Sequence, residues 1–79
     1  MTREEVYERL NNVFREILDD DTIELQDDTT ADDVDGWDSF EHINLVVGVE
    51  EEFNMKIPMG KVVTMKNVGE MVDIIISKL

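Results

Sequence analysis

Cysteine is absent from this chain, which excludes a disulfide framework, a thiol nucleophile and a thiolate metal site. The single histidine, His42, leaves no material for most histidine-based triads or for a histidine-cluster metal centre. No apolar run approaches the ~20 residues that a membrane span requires. Met1-Thr2-Arg3-Glu4-Glu5 is charged from the outset and has no apolar stretch, so no secretory leader is expected. Basic residues are missing over half the chain: between Glu16 and Met55 there are fifteen acids and neither lysine nor arginine. A field of that sign repels nucleic acid and anionic membrane, and it steers basic protein surfaces toward the domain.

What is present is small and acidic. Seventy-nine residues with a net charge of −13 make one domain, 1–79. A chain of that size buries only about 60 % of its unfolded surface, so it supports one modest core and no roomy enzyme cleft. A soluble, monomeric, cytoplasmic protein is the expectation.

Thr2 and Glu5 have capping-box spacing, and Val6, Leu10, Val13, Phe14, Ile17 and Leu18 follow at helical spacing. The pattern predicts an amphipathic helix over about residues 3–18, with Glu4, Glu8, Arg9, Asn12 and Arg15 on its wet side. Asp19-Asp20-Asp21 ends it, because negative charge is unfavourable at the negative end of a helix dipole. Residues 19–37 hold no steady period and read as a long loop pinned by Ile23, Leu25, Ala31, Val34 and Trp37. Gly36 interrupts this loop, and Asp38 with Glu41 has the spacing of a capping box for a second helix over 39–53.

That helix carries two apolar stripes. Leu45, Val46, Val49 and Phe53 gather on one side, and Phe40, Ile43 and Val47 on roughly the other. One stripe suffices for burial in a small bundle. The second either lines a cavity or stays exposed as a partner surface. Pro58 stops the chain from continuing as helix at Ile57. Met59 to Val63 reads as one short helical turn. Asn67, with Glu70 at capping-box spacing, starts a last helix with Val68, Met71, Val72, Ile75 and Leu79 on its apolar face. The fold class expected is all-α: three main helices plus a short one, with a long loop between the first two.

Candidate chemistry narrows quickly. An EF-hand register on Gly36 puts Asp33 and Asp35 at positions 3 and 5, but Ala31 and His42 then occupy the two strongest ligand positions, so a calcium loop fails. His42 falls within the core stripe and reads as a satisfied, half-buried side chain. Met55, Met59, Met65 and Met71 read mainly as core filler whose softness also suits a cavity that admits a flexible guest. No side chain is placed in the sequence to activate Ser39 as a nucleophile. As the first helical residue behind the cap Asp38, Ser39 is not needed for capping, and its hydroxyl is expected to point outward.

Gly36-Trp37-Asp38-Ser39-Phe40, then Ile43, Leu45 and Val46, then Glu50-Glu51-Glu52-Phe53 and Ile57-Pro58, resembles the acyl carrier protein family. That family's mark is Asp-Ser-Leu opening the second helix of a four-helix bundle; its helix tends to close with Glu-Glu-Phe, and Ile-Pro often follows. The spacing from first helix to serine and the final Val68-Gly69-Glu70-Met71-Val72 segment are also similar, so the resemblance spans nearly the whole chain. It implies a non-enzymatic carrier with 4′-phosphopantetheine attached to Ser39 by a phosphopantetheinyl transferase acting with coenzyme A. The arm would hold acyl groups as thioesters for enzymes of fatty-acid or related biosynthesis.

By the same resemblance, Asp35, Asp38, Glu41 and Glu51 would meet basic patches on those enzymes. Phe40 and Val47 would make apolar docking contacts, and Ile43, Val46 and Met65 would border the pocket for the cargo. Phe40 stands where leucine is usual in the family, and Asn44 where fatty-acid carriers often have an acid. Trp37 before Asp-Ser is similar to aminoacyl, D-alanyl and other specialised carriers. An aminoacyl, peptidyl or D-alanyl-type carrier therefore stays open beside the fatty-acid reading. So does an unmodified acidic adaptor whose Phe40–Val47 face binds a helix. The acid excess itself generates a prediction: added salt or divalent cations raise the melting temperature, and a melting temperature indifferent to ionic strength would contradict it.

Overall fold

A computed structural model describes the backbone of residues 1–79 and every side chain except those of Val62 and Val63. Four helices follow in order: α1 (Arg3–Leu18), α2 (Ser39–Phe53), α3 (Met59–Thr64) and α4 (Val68–Lys78). A 3-10 turn, Ala31–Asp33, lies in the α1–α2 loop, and no strand occurs among the described residues. The helix boundaries and the all-α class match the sequence expectation.

The starts of the helices show how local chemistry sets these bounds. At α1 the box is complete: Thr2 Oγ1 accepts from Glu5 N–H at 3.1 Å, and Glu5 Oε1 accepts from Thr2 N–H at 2.9 Å. The bond from Thr2 N–H, reinforced by the Thr2 hydroxyl, holds the Glu5 carboxyl below its ordinary range. The other two expected boxes are one-sided. Asp38 and Asn67 cap Glu41 N–H and Glu70 N–H, but Glu41 instead accepts from Asn44 Nδ2 and Glu70 from Lys66 N–H. At its other end α1 stops because Asp19 turns left-handed at φ 53°, and the N–H groups of Asp19 and Asp20 both bond Arg15 O. Asn54 ends α2 in the same way at φ 51°.

The core draws on every long helix and on the loop. Val6, Leu10, Phe14, Leu45, Val49, Val68, Val72 and Ile75 are all 0 % exposed, each stabilising by roughly 1.5–3 kcal/mol on burial. Ile23, Leu25 and Trp37 pin the loop to this core, as expected, with Val34 half-buried against it. Ala31 does not: it is exposed, at the start of the 3-10 turn. Leu79 was expected on the apolar face of α4 but is 55 % exposed, since α4 ends at Lys78 and Ile75 is its last buried residue. Of the methionines, Met71 is buried and Met55 and Met65 pack partly against the core, whereas Met59 is 70 % exposed at the start of α3.

Polar tethers complete the loop's attachment. Arg15 Nε donates to Ile23 O at 2.8 Å, and Asn11 Oδ1 accepts from Leu25 N–H at 2.8 Å. Farther along, Asp27 accepts from the Tyr7 hydroxyl and from Arg3, and Arg3 also reaches Asp73 on α4 at 2.9 Å. Desolvation, reinforced by that bond to Asp27, pushes the Tyr7 hydroxyl up to about 12. The bonds from Tyr7 and Arg3 hold the Asp27 carboxyl below its ordinary range. Two loop carbonyls then serve the start of α4: Thr29 O accepts from Val68 N–H at 2.8 Å and Asp27 O from Gly69 N–H at 2.9 Å. The approach is so close that a Cβ on Gly69 would lie 2.7 Å from Asp27 O.

Two outcomes follow. Gly69→Ala lowers stability, because overpacking against backbone costs about 1–3 kcal/mol while the helix-propensity gain is at most ~1 kcal/mol; an unchanged or raised melting temperature would refute the contact. Asp27 is depressed in the fold, so its contribution is present above its unfolded value and disappears as pH falls through the folded one. The melting-temperature gap between wild type and Asp27→Asn is therefore full near neutrality and closes in strong acid, measured at constant ionic strength.

Candidate functional site

The first turn of α2 is built from the loop inward. Gly36 takes φ 86°, a left-handed conformation natural to glycine, and swings the chain so that Trp37 turns into the core. The Trp37 N–H donates to Val34 O at 3.2 Å, closing that turn. Its indole meets Phe14 edge to face, with ring centroids 5.0 Å apart. On its other side lies His42, stacked at 5.9 Å, whose Nδ1 accepts from Trp37 Nε1–H at 3.0 Å. An accepting Nδ1 places the ring proton of the neutral imidazole on Nε2. His42 is thus the half-buried, satisfied histidine expected from its place on the helix wheel.

With Trp37 anchored, Asp38 takes up an extended backbone and caps Glu41 N–H at 2.8 Å. Ser39 follows as the first helical residue. It is exposed, and its hydroxyl bonds no other group among the described residues. The helix start needs nothing from it. It also lines an open groove of about 720 Å³. Trp37, Ile43, Met59, Met65 and Met71 supply the apolar lining; Asp32, Asp38, His42, Lys66 and Asn67 bring polar groups.

The sequence-derived site residues are placed as follows. Ser39, Ile43 and Met65 share the groove. Val46 does not line it: its place on the Leu45–Val49–Phe53 stripe turns it inward, where it is 7 % exposed. Phe40, Ile43 and Val47 form the second stripe, left in solvent at 74, 59 and 46 % exposure. Asp35, Asp38 and Glu51 are exposed and Glu41 is half-buried, so acids flank that stripe from the preceding turn to the helix end. Asp32, Lys66 and Asn67 are groove residues that the sequence reading does not single out. Lys66 and Asn67 lie in the connection before α4, where side chains with functional reach concentrate.

These features fit a covalent phosphopantetheine arm. A spare hydroxyl offers the attachment atom, the helix N-terminus favours a phosphate beside it, and the groove offers mixed walls for a flexible chain.

Comparison with known proteins converges on the same description. Residues 8–75 match the family model described as a phosphopantetheine attachment site. The chain is similar to acyl carrier proteins of Guillardia theta, 29 % identical over all of this chain and 98 % of the relative, and of Acidothermus cellulolyticus, 33 % identical over 95 % and 89 %. In structure it is similar to the holo acyl carrier protein of Geobacter metallireducens, with a TM-score of 0.85 and 38 % identity over 92 % of this chain and 84 % of that one.

Proposed function

The chain belongs to the acyl carrier protein family, and on that premise we propose that Ser39 is its phosphopantetheine attachment residue and that it ferries acyl groups between biosynthetic enzymes. Members of this family are carriers, not enzymes. They bear a covalently attached 4′-phosphopantetheine and interact with a phosphopantetheinyl transferase and with acyl-handling enzymes. When bound, that group supplies a terminal thiol able to hold an acyl group as a thioester.

One observation carries the choice of Ser39: an exposed hydroxyl with no structural duty at the first position of α2, lining the groove. Asp38 makes that idleness achievable by taking over the cap. The whole 1–79 segment acts as a single carrier domain in this reading. Ile43 and Met65 shelter the start of the cargo, while the core residue Val46 backs the helix from within.

Docking falls to the outer face of α2. Phe40 and Val47 offer apolar contacts, and Asp35, Asp38, Glu41 and Glu51 steer basic patches on partner enzymes. Fatty-acid or related biosynthesis is the pathway class proposed. Trp37 ahead of Asp38-Ser39 supports, as a second reading, an aminoacyl or D-alanyl-type carrier of a specialised pathway. Acyl and aminoacyl donors in parallel loading assays separate the two.

Incubation with coenzyme A and a broad-specificity phosphopantetheinyl transferase adds one arm to the wild type and none to Ser39→Ala, read by intact-mass spectrometry. No mass gain, or an equal gain in the variant, sinks the proposal. Partner binding that persists fully in unmodified protein would point instead to an acidic adaptor.

A further inference from the structure

The basic side chains of this acidic molecule are deployed unequally. All three arginines lie on α1 and are engaged: Arg3 with Asp27 and Asp73, Arg9 with Glu52, and Arg15 with Glu24. Lys66 differs on two counts. Among the described residues its side chain has no acidic partner, and it is the cation that lines the groove opening at Ser39. Its backbone is held there, since Lys66 N–H donates to Glu70 Oε2 at 3.1 Å. The groove's other charged residues are Asp32, from the α1–α2 loop, and Asp38 beside Ser39.

A phosphodiester on Ser39 Oγ is a permanent anion. Next to Asp38 and Asp32 it meets repulsion, and the Asp38 carboxylate offsets part of the positive end of α2. Lys66 offers the compensating charge, as a compact ammonium suited to phosphate oxygen. Resting on the assignment of the arm to Ser39, we infer that Lys66 draws the arm's phosphodiester onto the groove wall formed by Met65–Asn67, away from the loop wall that carries Asp32. The arm then leaves Ser39 over Ile43 and Met65 instead of projecting into solvent. An exposed pair of this kind biases the arm's position by about two- to fivefold, and salt weakens it.

The test compares amide spectra of the unmodified and modified protein, with intact mass confirming the arm. Attachment shifts Met65, Lys66 and Asn67 as well as Ser39 and Phe40. In Lys66→Gln the shifts at Met65 and Asn67 fall at least about twofold while those at Ser39 and Phe40 stay, Lys66→Arg keeps them, and Lys78→Gln has no effect. Salt near 0.5 M reproduces the glutamine variant in the wild type, about the level at which surface pairs are largely screened. Shifts confined to Ser39 and its neighbours, or unchanged in Lys66→Gln, overturn the inference alone. Failure to modify Ser39 overturns the attachment assignment and this inference together. Shifts at Met65–Asn67 that appear only after loading a dicarboxylic acyl group, and not with the bare arm, overturn the phosphodiester as the ligand and assign Lys66 to the cargo's carboxylate.

Discussion

The indole of Trp37 sits where three demands meet. It must anchor a long acidic loop, pack against α1, and hand the chain to α2 in one orientation. Phe14 meets it edge to face and His42 accepts its N–H, so two neighbours fix the ring that follows the turn through Gly36. Two residues on, Ser39 inherits that rigidity. As the proposed attachment point, its hydroxyl would gain from such a mount, because a modifying enzyme would meet one geometry instead of an ensemble. Replacing the indole by a smaller ring would leave the cap at Asp38 intact but loosen the element it starts.

Electrostatics sets a second constraint, partly opposed to the first. A net charge of −13 on a body 28 by 25 by 22 Å raises the cost of compactness. The fold answers by placing its arginines where acids from distant segments converge, as Arg3 does between Asp27 and Asp73. These pairs are exposed, and such pairs contribute little singly. Their geometry matters more than their strength, because Arg3 and Tyr7 together join α1, the loop and α4 at one point. On α2, Glu50 accepts from Ile57 N–H and Glu52 pairs with Arg9, while Glu51 is exposed and has no ion pair among the described residues.

Much of the scaffold could be read from the chain because it is governed by local periodicity. Thr2, Asp38 and Asn67 marked three helix starts, Pro58 marked a break, and the Leu45–Val46–Val49–Phe53 stripe marked the buried side of α2. What escaped reading depends on pairs far apart in sequence. Nothing near Gly69 announces that Asp27 O will lie against it, and nothing near Arg15 announces the carbonyl of Ile23. The one-sided caps show the same limit on a smaller scale: Glu41 and Glu70 have the right spacing, but nearby Asn44 and Lys66 compete for their carboxylates. In the site, the idleness of Ser39 was legible because Asp38 takes the cap, whereas Val46, which resemblance assigned to a pocket, lies on the buried stripe and does not line the groove at Ser39. Lys66 was silent, since a lysine in a connection says nothing until the groove beside it is known.

The two surfaces of α2 have to be weighed together. A carrier must release each partner quickly, so its docking face cannot be a deep, desolvated hot spot. Phe40, Ile43 and Val47 stand out in solvent without a surrounding apolar field, and the acids around them act at long range. That combination raises encounter rates more than residence times. With the arm on Ser39, as proposed, the groove would answer the opposite need, since a flexible arm in open water pays its full conformational entropy whenever an enzyme orders it. A shallow wall of methionine and isoleucine lowers that cost without trapping the arm. On that proposal, weak outward contact and weak inward shelter form one design: neither can dominate, or the arm would be held by the partner or by its own fold.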